Sequence, residues 1–198
     1  MHVKIPNNNI QERCYIIETL FKNFLTLEYQ IEITDLKDYT LTFDNKTLII
    51  KDCFFNRFLK PLSYLCNDAI PREVTWDNSH EIPFIYGDDT IEYSPDTIIC
   101  HADLFASAFF MLSRFEEHIL SNKDNFGRFD ENYSLSIQNS FAHIPVVNRY
   151  ATLLQKLLEE LEFIDIVKNE KRFKIVPTHD IDYLRFYNSF SVFFQRFY

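Results

Sequence analysis

A short strand followed closely by an apolar helix decides the fold class, in the stretch TIICHADLFASAFFMLSRFEEHI at residues 97–119. Thr97 to Cys100 is a strand candidate, and Asp103 is placed to cap a helix that begins after it. Apolar residues then recur at helical spacing, at Leu104, Ala108, Met111, Leu112, Phe115 and Ile119, with Phe105 and Phe109 widening the stripe. We therefore expect one helix over residues 104–119, almost surrounded by core.

Alternating patterns on the N-terminal side of this stretch predict antiparallel sheet. Leu27 to Ile33 alternates apolar and polar residues, which suits a strand with one solvated face. Tyr39, Leu41 and Phe43 repeat the alternation. A turn at Asp44-Asn45-Lys46 and a returning arm from Thr47 to Lys51 would complete a hairpin. Two further short strands are expected at Ile82–Tyr86 and Thr90–Tyr93, with a turn at Gly87-Asp88-Asp89 between them.

Two more helices are predicted, one at each end of this region. Asn9 with Glu12 fits a capping box before a first helix, in which Ile16, Ile17, Leu20, Phe21, Phe24 and Leu25 recur at helical spacing. A third helix follows Pro145, with Tyr150, Leu154, Leu157, Leu158 and Leu161 on one side. Residues 54–80 are expected to be a helical turn and a surface loop. The fold class predicted is α/β, a mixed β-sheet flanked by about three helices.

Composition excludes several classes of function. The 198 residues include only 2 Gly, too few for a glycine-rich phosphate loop. A formal charge of −9 disfavours nucleic acid as a partner, and no apolar run is long enough for a membrane span. Four cysteines without a C-x-x-C pair fit reduced thiols, and we expect a cytoplasmic protein. The aromatic content of 17% favours a Phe-rich core over a sugar-stacking surface.

The end of the chain carries the residues best suited to chemistry. Phe173 to Val176 is a strand candidate that runs into Thr178-His179-Asp180-Ile181-Asp182. Carboxylates two residues apart at the end of a strand point the same way, so Asp180 and Asp182 can converge on one site. With His179 they are the residue types that bind a divalent metal and activate water. The alternative is structural, with both acids capping an amphipathic helix that begins near Tyr183.

Thr178-His179-Asp180-Ile181-Asp182 resembles the first motif of the NodB-type polysaccharide deacetylases. These are metal-dependent hydrolases that remove acetyl groups from sugars and are built on a distorted (β/α) barrel. The resemblance implies that Asp180 is the catalytic base and that Asp182 is a metal ligand, with His179 beside it. It implies a divalent metal, zinc or similar, and a glycan substrate for the parent protein.

Three upstream stretches resemble the uncharacterised domain that precedes the deacetylase domain in some bacterial proteins. They are residues 103–117, Gly127-Arg128-Phe129 and Ile144-Pro145-Val146-Val147. The resemblance implies an N-terminal α/β accessory domain over residues 1–172. Residues 173–198 would then be the first strand and helix of a truncated (β/α)-barrel deacetylase domain, whose remainder is the partner of this chain.

The chain departs from the deacetylase pattern in its histidines. The family completes its metal site with H-x-x-x-H, and no two of the 6 His have that spacing. We therefore expect the chain alone to be inert and to bind no cofactor. An alternative is a non-catalytic module that binds a glycan or a protein through the aromatic face of residues 183–198, where Tyr183, Phe186, Tyr187, Phe190, Phe193, Phe194 and Phe197 recur.

A weaker candidate site lies on the helix predicted at residues 104–119. Arg114, Glu117 and His118 share one side by the three- and four-residue rule, and would form a polar site beside Asp103 or Arg128. The favoured alternative is a solvated or salt-bridged face. The resemblance to the domain that precedes the deacetylases implies a specific form of this alternative, a buried pair between Arg114 and a carboxylate that ties the domain together.

Overall fold

The computed structural model describes residues 1–79, 81–163 and 175–180, and its centre is a six-stranded sheet. The strands of this sheet lie in the order β2-β1-β3-β4-β8-β7. They are β1 (His2–Pro6), β2 (Gln30–Thr34), β3 (Tyr39–Phe43), β4 (Lys46–Ile50), β7 (Gly87–Tyr93) and β8 (Thr97–Ala102). A separate two-stranded sheet pairs β5 (Thr75–Trp76) with β6 (Pro83–Phe84).

The sheet is mixed, as predicted. β3 and β4 form the expected antiparallel hairpin, with Leu41 opposite Leu48. β1 pairs with β2 in parallel and with β3 antiparallel, and β4 pairs with β8 in parallel. β1, β2, β4 and β8 therefore run in one direction, and their carboxyl ends lie along one edge of the sheet. β1 was not predicted, because its alternation spans only five residues before Pro6 ends it.

The helices are α1 (Ile10–Glu18), α2 (Leu104–Leu112), α3 (Phe115–Ile119), α4 (Leu135–Gln138) and α5 (Val146–Glu160). A π-helical segment, Thr19–Leu25, continues α1. One face of the central strands is covered, since alternate residues such as Val3, Leu41, Leu48 and Ile98 are buried, whereas Ile33 on the edge strand β2 is 50% exposed. The other face carries partly exposed residues, so the domain has two layers. None of the helices in the described part of the chain has the length and apolarity that crossing a bilayer requires.

The first and third predicted helices are confirmed, the first as α1 with its π-helical continuation and the third as α5, whereas the second is corrected. Tyr150, Leu154, Leu157, Leu158 and Leu161 are buried as expected. The helix expected over residues 104–119 breaks after α2, because Arg114 adopts a left-handed conformation with φ 53° before α3 begins. The apolar stripe continues through the break, which is why spacing alone did not show it.

The capping box predicted at the start of α1 is wrong. Asn9 has φ 46°, in the left-handed region, and its side chain makes no cap hydrogen bond to the helix. Its Nδ2 donates instead to the Phe58 carbonyl at 3.0 Å. Glu12 is also engaged elsewhere, because its Oε1 accepts a 2.7 Å hydrogen bond from the Tyr64 hydroxyl. Both side chains thus hold the segment after β4 rather than the helix end.

The segment after β4 is part of the core, whereas the sequence predicted a helical turn, which is present, and a surface loop, which is wrong for its buried aromatic residues. Phe54, Phe55 and Tyr64 are buried and contact Phe109 and Phe115 from α2 and α3. The Phe54 and Phe55 rings meet edge to face with centroids 4.9 Å apart. Short 3₁₀ turns such as Phe55–Arg57 have no sustained period, so burial here left no pattern to detect. The prediction of a Phe-rich core is confirmed.

Gly87 begins β7, where the sequence predicted a turn. It has φ 86°, and a Cβ at this position would lie 2.2 Å from the carbonyl oxygen of His101 on the neighbouring strand. Only glycine allows the backbone to approach this closely. The pairing of β7 with β8 is irregular between Gly87 and Ile91, which marks a bulge.

Candidate functional site

The acidic motif near the end of the chain is exposed where the structure describes it. His179 and Asp180 are exposed and lie in no helix or strand. Ile175 and Val176 are 73% and 65% exposed and also lie in no strand, so this part of the predicted strand is wrong. Asp182 and the aromatic residues 183–198 lie outside the described residues. Within the described ranges, no group of three or more His, Cys, Asp or Glu side chains is placed to hold a metal ion.

The second candidate site is a solvated surface pair. Arg114 donates to Glu117 through both Nε, at 2.9 Å, and Nη2. The Arg114 side chain is 75% exposed, so the favoured expectation of a solvated or salt-bridged face is confirmed, and its specific form as a buried pair is wrong. The arginine lowers the pKa of the Glu117 carboxyl. His118 is exposed, and Arg128 pairs with Asp124 at 2.7 Å rather than with this group.

Glu116, the neighbour of Glu117, makes the contacts that join elements. Its Oε1 accepts a 2.6 Å hydrogen bond from the Ser134 hydroxyl, and its Oε2 accepts one of 2.8 Å from the Leu135 backbone N–H. Leu135 is the first residue of α4. Glu116 therefore anchors α4 to α3, a role that the sequence did not distinguish from that of Glu117.

Asp103 lies in the core rather than beside Arg114. It is fully buried and caps α2 as predicted, since its Oδ1 accepts a 2.9 Å hydrogen bond from the Ala106 N–H. Its Oδ2 accepts from the N–H groups of Cys53 at 2.9 Å and Phe54 at 3.2 Å. One carboxylate thus joins the carboxyl ends of β4 and β8 to the start of α2.

A buried ion pair lies next to Asp103. Arg13 Nη2 and Asp52 Oδ2 are 2.5 Å apart, and both side chains are fully buried. Arg13 also donates from Nε to the Asn8 carbonyl at 2.7 Å, and its guanidinium carbon lies 4.9 Å from the centroid of the Tyr39 ring. We call Arg13, Asp52 and Asp103 the buried cluster. The sequence analysis missed Arg13 and Asp52, because the only available signal was two charged residues in apolar surroundings.

Burial dominates the electrostatics of the buried cluster. Removal from water and the charge on Asp52 together raise the pKa of Asp103 to about 8, against the backbone N–H donors from Ala106 and Cys53, which lower it. Burial also raises the pKa of Asp52, against the attraction of Arg13. Burial raises the pKa of the Cys53 thiol to about 12, so this thiol is not an activated nucleophile. Both carboxylates of the buried cluster accept hydrogen bonds that hold the fold.

An open cleft lies beside the buried cluster, outside the carboxyl ends of β1 and β2. Its volume is about 460 Å³. The cleft is lined by the polar residues Asn7, Asn8, Asp35, Lys37 and Asn56 and by the apolar residues Pro6, Leu36 and Leu59. Asn8 and Asn56 also contact the buried cluster. The Asn8 Oδ1 accepts a hydrogen bond from Arg13, and the Asn56 N–H donates one to Asp52 at 3.2 Å. In open α/β sheets, ligands bind at this edge.

Comparison with known proteins identifies the family of the chain but no individual relative. No curated protein and no solved structure matches the chain. A family model described as "Family of unknown function (DUF7033)" matches residues 1–163, a range that includes the whole six-stranded sheet and α1 to α5. With that match over most of its length, the chain belongs to the DUF7033 family.

Proposed function

We propose that the chain is the N-terminal region of a metal-dependent glycan deacetylase-like protein, in which residues 1–172 are an accessory domain. The observation that carries the proposal is the motif Thr178-His179-Asp180-Ile181-Asp182, which follows the α/β domain in sequence. His179 and Asp180 are exposed, and neither side chain is hydrogen-bonded or ion-paired to another residue that the structure describes. Exposed polar side chains that do not stabilise the fold are available to bind a ligand or to take part in catalysis.

The donor set of the motif suits a divalent cation such as zinc. An imidazole and carboxylates are ordinary zinc ligands, and Asp182 with His179 would hold the ion. Bound there, the metal would supply Lewis acidity toward the acetyl carbonyl of a glycan. Asp180 would take a proton from the attacking water. The two histidines of an H-x-x-x-H motif would have to come from beyond residue 198, so this chain alone is proposed to be inert.

The α/β domain itself offers no competing catalytic centre among its described residues. The acids of the buried cluster accept hydrogen bonds from the backbone and from Arg13, and they are shielded from solvent. Arg114 and Glu117 satisfy each other at the surface. These contacts support an accessory role for residues 1–172. The alternative of a module that docks through residues 183–198 rests on residues outside the described ranges and stays a prediction.

Metal binding tests the proposal. The protein that the gene encodes, with any residues beyond codon 198, would be freed of metal and titrated with Zn²⁺ by calorimetry. We expect one equivalent to bind, and Asp182→Asn to weaken binding at least tenfold, because a carboxylate ligand is lost. The matched control is Asp124→Asn, an acid of a surface loop that pairs with Arg128. Equal affinity in the Asp182→Asn and wild-type proteins would refute the assignment.

A further inference from the structure

We propose that the cleft outside the carboxyl ends of β1 and β2 binds a neutral, hydroxyl-rich ligand, namely a sugar residue of a glycan. This site is separate from Asp180 and does not depend on the proposed deacetylase activity. The cleft lies between the loop after β1, the loop after β2 and the segment after β4. Its volume of about 460 Å³ lies in the range of small-molecule sites.

Several polar groups in the cleft are not used by the fold. In the part of the chain that the structure describes, the side chains of Asn7, Asp35 and Lys37 make no hydrogen bond or ion pair. The Asn56 side chain donates through Nδ2 to the Lys37 carbonyl, which leaves its Oδ1 free to accept. Hydrogen-bonding groups from three separate segments thus line the cleft without a partner among the described residues.

The mixture of hydrogen-bond donors and acceptors in the cleft indicates which class of ligand the cleft fits. Asp35 and Asn56 Oδ1 accept hydrogen bonds, whereas the Lys37 ammonium and the Asn7 amide donate them. A sugar hydroxyl donates and accepts at once, so a lining of both kinds can satisfy it. An anion would be repelled by Asp35, and a cation by Lys37. The charges of these two residues cancel, which favours a neutral ligand.

Two exposed leucines provide the apolar part of the site. Leu36 is 48% exposed and Leu59 is 75% exposed, and both line the cleft. The ring of a sugar has C–H faces between its hydroxyls, and burying them against leucine removes apolar surface from water. Binding would therefore also account for two large apolar side chains left in solvent.

The buried cluster holds two walls of the cleft in place. Arg13 donates to both the carbonyl and the side-chain Oδ1 of Asn8, at 2.7 Å and 2.5 Å. Asp52, paired with the same arginine, accepts from the Asn56 N–H. A wall fixed before binding reduces the entropy cost of ordering the site. The cluster thus connects the stability of the domain to the shape of the cleft.

The experiment titrates the 198-residue chain with soluble β-1,4-linked oligomers of glucose and of N-acetylglucosamine, followed by ligand-observed NMR. We expect at least one oligomer to bind, and Asn7→Ala and Asp35→Asn each to weaken binding about three- to tenfold, as the loss of one hydrogen bond predicts. Because neither side chain bonds within the domain, thermal unfolding should be unchanged in both variants.

Matched controls separate the cleft from the rest of the surface. Glu32→Gln removes an exposed acid on β2, and Asn148→Ala removes an exposed amide on α5. Both should bind the oligomers as the wild type does. The proposal is wrong if neither oligomer binds, if free amino acids bind in the cleft instead, or if Asn7→Ala and Asp35→Asn leave affinity unchanged. Any of these results would leave the deacetylase proposal standing.

Discussion

Two arginine–carboxylate pairs in this domain have the same chemistry and opposite surroundings. Arg13 and Asp52 are fully buried, whereas the Arg114 and Glu117 side chains are 75% and 30% exposed. A buried charge is costly unless it is paired, so removing one partner leaves the other unpaired in the core. An exposed pair loses little, because water replaces the partner. Surroundings, and not residue type, decide what each pair contributes.

The two pairs also differ in what they connect. Arg114 and Glu117 are three residues apart and hold only the start of α3. Arg13 and Asp52 are 39 residues apart and join α1 to the end of β4. Asp103 extends this connection to β8 and α2. The buried pair thus organises the edge of the sheet at which the cleft lies.

Removing the buried arginine should have the largest effect. Arg13→Ala leaves Asp52 buried without its cation and is expected to lower the free energy of unfolding by about 3–5 kcal/mol. Arg114→Ala is the matched control and should leave the midpoint of urea denaturation unchanged. If both variants unfolded at the same urea concentration, the contrast between the two pairs would be lost.

Within one pH unit, a smaller effect is expected from the titration of Asp103 in the buried cluster. The folded-state pKa of Asp103, about 8, lies well above the ordinary value for an aspartate, so the folded protein binds the proton more tightly than the unfolded chain does. Its contribution to stability is then complete at low pH and declines as pH rises from about 4 to about 8. The slope from one proton is at most about 1.4 kcal/mol per pH unit.

Asp103→Asn should remove that slope while keeping one acceptor for the Ala106 N–H. The measurement is urea denaturation of both proteins at several pH values between 4 and 8. Arg13 and Asp52 remain in the variant, and burial also raises the pKa of Asp52, so Asp52 contributes a residual slope. A slope in Asp103→Asn as steep as in the wild type would contradict the assignment of Asp103 as a titrating group.

The smallest effect distinguishes two adjacent glutamates. Glu116→Ala removes the acceptors for Ser134 and Leu135 and should lower the free energy of unfolding by about 1–2 kcal/mol. Glu117→Ala removes only the exposed pair and should leave stability unchanged. Chemical denaturation of the two variants measures the difference. Equal unfolding midpoints would mean that the contacts of Glu116 contribute nothing net.

The sequence predicted local features well and missed connections over distance. The hairpin of β3 and β4, the α5 helix and the cap by Asp103 each rest on spacing within a few residues, and all three are confirmed. The Arg13–Asp52 pair has no local signal, because its partners meet only after the sheet forms. A local signal can also mislead, as at Asn9, whose side chain bonds to Phe58 instead of capping α1.

The two proposed sites also differ in whether the sequence alone could reveal them. The motif at His179 and Asp180 was identified from residue order alone, whereas the cleft depends on three loops brought together by topology. Asn7, Asp35 and Asn56 are ordinary polar residues in the sequence, and nothing in their spacing marks them. The fold supplies the proximity on which that proposal rests.

Acetate release by the protein that the gene encodes, including any residues beyond Tyr198, tests the central functional claim most directly. The assay would compare the wild type with Asp180→Asn on an N-acetylated glycan oligomer in the presence of Zn²⁺. The account predicts that the wild type releases acetate and that the variant loses this activity with an unchanged unfolding midpoint, because Asp180 is exposed. Equal acetate release by the two proteins would contradict the assignment of Asp180 as the base.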